Sequence, residues 1–168
     1  MVADLTIGND NWKDGWKCAE NAQSLAIKIF TEAGKLAQDD SDSFDSVMES
    51  FKLPKSTEDE IQSRRTAIRN ATLQAALVPY QTAELAYSLL AVLPELAKRG
   101  NANAVSDVGV ASLLASAAAK GALFNVDINL QSLPSEMVGD LAQKSEDLLE
   151  KSRLLSKESL KEVRDRLN

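Results

Sequence analysis

Histidine is missing from all 168 residues, which excludes imidazole general bases, Ser-His-Asp triads and His-ligated metals together. Cysteine is nearly missing too: Cys18 alone can form neither an internal disulfide nor a thiolate metal cluster. Aromatic residues make up only 5% of the chain, so alanine and leucine must build most of its core. That favours closely packed helices over a sheet, whose strands draw on β-branched and aromatic side chains. An excess of basic charge is also absent. The formal balance is −6, which argues against nucleic-acid binding through a basic footprint but leaves room for a local basic pocket. Nothing resembling a signal peptide follows Met1, and the small apolar run 111–119 is too short to span a bilayer before Lys120 ends it. The expectation is a cytoplasmic protein with no membrane association. Chemistry is left to carboxylates, Lys, Tyr, Ser and backbone groups.

What is present reads as helix almost throughout. With 44% hydrophobic and 26% charged residues, residues 1–168 suit one all-α domain. Residues 1–7 read as the end of a helix stopped by Gly8, Asn9 and Asp10. A second helix is expected from about Asn11 to Leu53, where Pro54 ends it. Ser56 or Thr57 then caps a third, whose first turn carries Glu58, Asp59 and Glu60 in keeping with the helix dipole. Pro79 interrupts that helix, Pro94 perturbs it again and Gly100 stops it. Ser106 or Asp107 can cap a small-residue helix from Val108. Residues 124–130 alternate apolar and polar as a strand does, but with no second strand to pair with they continue the helix. Pro134 and Ser135 open a last helical region through Leu167.

Asp40 is out of place in this pattern. Leu25, Ile29, Leu36, Phe44, Val47 and Phe51 recur at helical spacing, and Asp40 falls four residues from both Leu36 and Phe44. It is therefore expected to point inward with them. A carboxylate held against apolar neighbours has its pKa raised, which is one way to make a general acid or base. The spacing also fits an Asp at the rim that caps or pairs, since structural ion pairs perturb carboxylates as well. Asp39 and Asp42 read as solvated, and the three acids do not converge as a metal site requires. Asn101, Asn103, Ser106 and Asp107 read as a helix cap. Asn125 and Asn129 share a helix face, where they either satisfy neighbours or read a polar heterocycle. Lys55, Arg64 and Arg65 bracket the loop after Pro54 and read either as solvated surface or as a basic rim that could hold a carboxylate-bearing ligand. Trp12 and Trp16, four apart, read as a packing pair.

Taken in order, Leu5-Thr6-Ile7-Gly8, residues 40–44, Leu53-Pro54-Lys55 and Arg64-Arg65-Thr66-Ala67 form a specific set. Val78-Pro79, Gly100-Asn101, Ser106-Asp107 and residues 125–130 complete it. The set resembles the cyclodeaminase/cyclohydrolase domain of the formiminotransferase-cyclodeaminase family, over essentially the whole chain. The resemblance implies an all-helical homodimer acting on one-carbon units carried by tetrahydrofolate, with no metal and no cofactor beyond the folate. One family activity closes 5-formimidoyltetrahydrofolate to 5,10-methenyltetrahydrofolate with loss of ammonia. The other interconverts methenyl- and 10-formyltetrahydrofolate with water. It implies that Asp40 is the acid/base, that Asn101, Asp107, Asn125 and Asn129 position the pterin and reacting carbon, and that Lys55, Arg64 and Arg65 hold the glutamate tail.

The pattern departs from the family at its start. Family members carry a Pro-Gly-Gly-Gly stretch and most of a helix ahead of the Leu-Thr-x-Gly motif, and this chain opens within that helix. Asn9 and Asp10 stand where relatives tend to be basic, and Asp4 where Asn is common. A cyclodeaminase is the first expectation, a cyclohydrolase the second. A non-catalytic folate-binding helical dimer is the alternative of a different class.

Overall fold

Every regular element is helical. The computed structural model describes residues 1–168, with α1 at Val2–Thr6, α2 at Trp16–Lys52, α3 at Glu58–Arg99, α4 at Val105–Leu130, α5 at Ser135–Val138 and α6 at Leu141–Leu167. The central element is α3, which packs against α2, α4 and α6, while α4 and α6 also pack on each other. Its start is set by a reciprocal cap: Thr57 Oγ1 accepts from the Glu60 N–H, and the Glu60 carboxylate accepts from the Thr57 N–H.

Pro79 and Pro94 both lie inside α3 without breaking it. Proline lacks the N–H that would bond the carbonyl four residues back, so Pro79 leaves the Ala75 carbonyl without its helical donor. Asn129 of α4 supplies the replacement, its Nδ2 donating to Ala75 O at 2.9 Å and to Asn125 O at 2.9 Å. A tertiary hydrogen bond thus carries the helix through the proline, where an interruption was expected.

Other boundaries also differ from expectation. Residues Asp10–Gly15 form a 3-10 turn ahead of α2, capped by the Asn9 side chain. An α-helix cannot start at Asn11 because Trp12 has non-helical torsions and Gly15 lies against the Arg99 carbonyl. Trp12 lies under the Arg166 guanidinium, and Trp16 Nε1 donates to Asn9 O. In α4 the helix begins at Val105, inside which Ser106 and Asp107 fall, because Asn101 caps a preceding 3-10 turn at Ala102–Ala104. Residues 124–130 do continue α4. Gly139, with φ of 56°, separates α5 from α6 where one helical region was expected.

Two apolar clusters fill the interior. One joins Val2, Ala19 and Ala22 to Leu90, Leu93 and Leu96 of α3 and to Val105 and Val108 of α4. The other joins Ala76 and Ala83 to Leu123, Val126, Leu130, Leu141 and Leu148. Along α6 the buried positions include Ser145, Ser152, Ser156 and Ser159, small enough for α6 to lie close on α4. By length and composition, α3 and residues 102–130 could each cross a membrane, contrary to the sequence expectation, yet here they pack along one another. Neither cluster contains a residue of α2 beyond Ala22 or of α3 before Ala76. Residues 37–52 and 58–74 therefore form a two-helix arm outside the clustered core.

Candidate functional site

The face that α2 turns toward α3 is not the one the apolar count marked. Leu36, Asp39, Val47 and Ser50 are half-buried and Ser43 is buried, whereas Asp40 is exposed and Phe44 is 62% exposed. The inward stripe steps by three and four through Ser43, so Asp40 and Phe44 lie beside it. The inward placement of Asp40 is thus corrected: within one chain its carboxylate reaches solvent, on a strip shared with Phe44 and Phe51. Asp39, read as solvated, lines a cleft of about 530 Å³ between α2 and α3 with Lys35, Gln81 and Glu84. The Ser43 hydroxyl donates to Asp40 O at 2.8 Å, holding the backbone at this point.

The antiparallel pairing of α2 and α3 fixes the level of Asp40. Arg64 donates from Nη2 to Phe51 O at 3.0 Å, and Cys18 Sγ lies 3.7 Å from Glu95 O. Interpolating between these pairs sets Asp40 opposite the turn of α3 around Ala75. Asn129 and Asn125 of α4 meet α3 at that same level through the Ala75 carbonyl. The Asn129 amide nitrogen is occupied there, leaving its Oδ1 and the exposed Asn125 side chain free of intramolecular hydrogen bonds.

The basic residues lie at the arm's tip. Lys55 and Arg65 are exposed, and Arg64 is half-buried, its guanidinium 5.5 Å from the Phe51 ring centroid. Eleven residues separate Asp40 from Phe51, about 16 Å along a helix.

At the opposite end Asn101 is 8% exposed and its amide is fully engaged: Nδ2 donates to Leu5 O at 2.9 Å and Oδ1 accepts from the Asn103 N–H at 3.0 Å. Its own N–H donates to Thr6 Oγ1 at 2.9 Å. Asn101 therefore holds the α3–α4 loop to α1. Asp107 lines a groove of about 580 Å³ with Ile27, Phe30, Leu89 and Leu93. The sequence candidates thus fall at three levels: Asn101 and Asp107 at one end, Asp40 with Asn125 and Asn129 midway, and Lys55, Arg64 and Arg65 at the tip.

Groups with shifted acidity lie elsewhere. Burial pushes the Cys18 thiol up and the Glu95 carboxylate adds to it; burial and Glu84 push up the Tyr80 hydroxyl. No cluster of carboxylates and cysteine suited to a metal is formed.

The geometry is that of an all-helical scaffold with an exposed acid, Asp40, on an apolar strip of α2. Residues 1–147 match the family model described as formiminotransferase-cyclodeaminase, and the chain belongs to that family. It is 31% identical over 173 residues to the methenyltetrahydrofolate cyclohydrolase of Methylorubrum extorquens, covering 100% of this chain and 81% of that one. It is 37% identical over 136 residues to the formimidoyltransferase-cyclodeaminase of Gallus gallus, covering 81% of this chain and 25% of that much longer protein. The crystal structure of formiminotetrahydrofolate cyclodeaminase from Thermotoga maritima superposes with a TM-score of 0.77 at 26% identity, over 99% of this chain and 78% of that one.

Proposed function

We propose that this protein is an enzyme of folate one-carbon metabolism that closes 5-formimidoyltetrahydrofolate to 5,10-methenyltetrahydrofolate, with Asp40 as general acid and base. The family match along residues 1–147, which includes every candidate residue, carries this reading. The folate N10 attacks the carbon of the formimidoyl group in its protonated, amidinium form; the N10–C bond forms, the C=N π pair passes to the terminal nitrogen, and the Asp40 carboxylate accepts the N10 proton. The bond from that carbon to the terminal nitrogen then breaks. Asp40 returns its proton to the departing nitrogen, which leaves as ammonia. One carboxylate serves both transfers because the proton it accepts is the proton it donates. Asn125 and Asn129 lie at the level where the reacting carbon would sit, and Asp107 and Asn101 shape the far end. Lys55, Arg64 and Arg65 offer cations to the glutamate carboxylates of an extended folate.

Replacing Asp40 with Asn should lower turnover by about a hundredfold or more while leaving the helical circular dichroism unchanged. Retained turnover in D40N would remove the assignment. The second reading, hydrolysis of methenyltetrahydrofolate, is favoured by the Methylorubrum relative, which aligns along 100% of the chain. Ammonia release from the formimidoyl substrate, set against consumption of the methenyl compound with water, separates the two.

A further inference from the structure

A groove of about 470 Å³ runs along the seam of α4 and α6, and none of its lining residues has a role in the proposed reaction. Small residues set its floor: Gly109 of α4 lies against Val163, and Ser112 Oγ meets Ser156 Oγ at 3.2 Å. One wall is a row of cations on α6, Arg153, Lys157, Lys161 and Arg164, and the other carries Ser116 of α4. Steps of four, four and three keep the row on one helix face, over about 16 Å.

This concentration of charge runs against the rest of the chain. The formal balance is −6, yet residues 148–168, which lie past those the family model matches, hold six cations against four carboxylates. Like charges one turn apart on a helix repel, and the row is only partly neutralised. Asp165 and Glu162 stand 2.6 and 3.7 Å from Lys161, and Glu150 stands 3.4 Å from Arg153. Lys157 and Arg164 have no carboxylate partner. The helix dipole accounts for Arg164, in the last turn, but its effect does not reach back to Arg153 or Lys157. Packing does not account for the row either, since all four side chains are exposed.

We infer that this groove binds a linear polyphosphate, a triphosphate chain either free or borne by a nucleoside. A compact anion gathers at one point and leaves the rest of the row repelling itself. A chain of phosphates lies along the row and sets negative charge beside each cation in turn. The arginine forks give paired bonds to phosphate oxygens, and the lysines act as point charges between them. The Ser116 hydroxyl donates from the opposite wall, and Leu154 at the rim, 58% exposed, offers apolar surface to a base. A longer nucleic-acid strand fits poorly, because Glu146 and Glu150 continue the same face toward the start of α6 and would meet its phosphates. Binding here is independent of the folate reaction and is read without turnover.

Isothermal titration calorimetry in about 0.15 M salt, with tripolyphosphate, ATP and citrate as probes, tests this on the wild-type chain, K157E/R164E and K13E/K98E. Both variants lower the net charge equally, but Lys13 and Lys98 line a separate cationic cleft beside Trp12. Tripolyphosphate should bind the wild type and K13E/K98E alike, and K157E/R164E at least about tenfold more weakly. K157Q/R164Q, which removes the charges without adding acids, should also lose affinity several-fold while keeping its helical circular dichroism. ATP equal to tripolyphosphate assigns the free chain, and ATP several-fold tighter assigns the nucleoside form. Equal losses in K157E/R164E and K13E/K98E would show attraction to net charge alone and overturn the inference, as would a loss confined to K13E/K98E. Citrate binding as tightly as tripolyphosphate, wild-type affinity in K157Q/R164Q, or no binding of either phosphate at millimolar concentration overturns it as well.

Discussion

Ala75, Pro79 and Asn129 form the clearest chain of cause at the scale of single residues. Removing the Asn129 amide leaves the Ala75 carbonyl without a donor, a loss of about 1–3 kcal/mol. In a Pro79→Ala background the helix regains its own N–H, so Asn129→Ala should cost at least about 0.5 kcal/mol less. Urea denaturation of the four proteins in this cycle measures the difference, and equal costs would show that the amide does not serve the carbonyl. Ser152 makes the opposite case: its hydroxyl is buried without a partner. Ser152→Ala should therefore be neutral or stabilising, by up to about 1 kcal/mol, in the same assay. The Cys18 thiol, raised by burial and by Glu95, favours its neutral form in the folded protein. Its contribution to stability is complete below the unfolded thiol's ordinary value and is lost as pH rises through the folded one. Denaturation midpoints should thus fall less steeply at alkaline pH in Cys18→Ala than in the wild type.

At the scale of the helix, what the sequence disclosed depended on whether a signal was local or tertiary. Thr57 with Glu60, and Gly8 after the first helix, are local signals, and both boundaries fall where expected. Gly15 could not be read that way, because what demands a glycine there is the Arg99 carbonyl, far away in sequence. A Cβ at Gly15 would stand 2.2 Å from that oxygen. Gly15→Ala should destabilise by about 2 kcal/mol or more, measured by thermal unfolding, since backbone must move to admit the methyl. The periodicity argument that singles out Asp40 does not hold in the structure, where its side chain is exposed. Phe44 looked like core, so Asp40 beside it looked buried, yet the inward position is Ser43. An apolar count does not separate residues covered by the same chain from residues left outward, and α2 has both.

For the molecule as a whole, the all-helical class followed from scarce aromatics and abundant alanine. The arrangement around α3, with a bare arm beyond Ala76, did not, because length and periodicity do not say where neighbours stop. Two helices without a core of their own hold together weakly. Amide exchange in residues 37–52 and 58–74 should therefore be at least about tenfold faster than in α6. Uniform protection along the chain would mean that the arm stabilises itself.

Pro79 has a geometric consequence for the basic tip. From Pro79 to Glu58 the helix extends 21 residues, about 32 Å, so this segment is a lever with its fulcrum at the proline. A tilt of about 5° at that fulcrum sweeps the far end through about 3 Å, the length of a hydrogen bond. The position of the basic tip is therefore sensitive to the bend of α3 at Pro79, where the Asn129 amide bonds the freed Ala75 carbonyl.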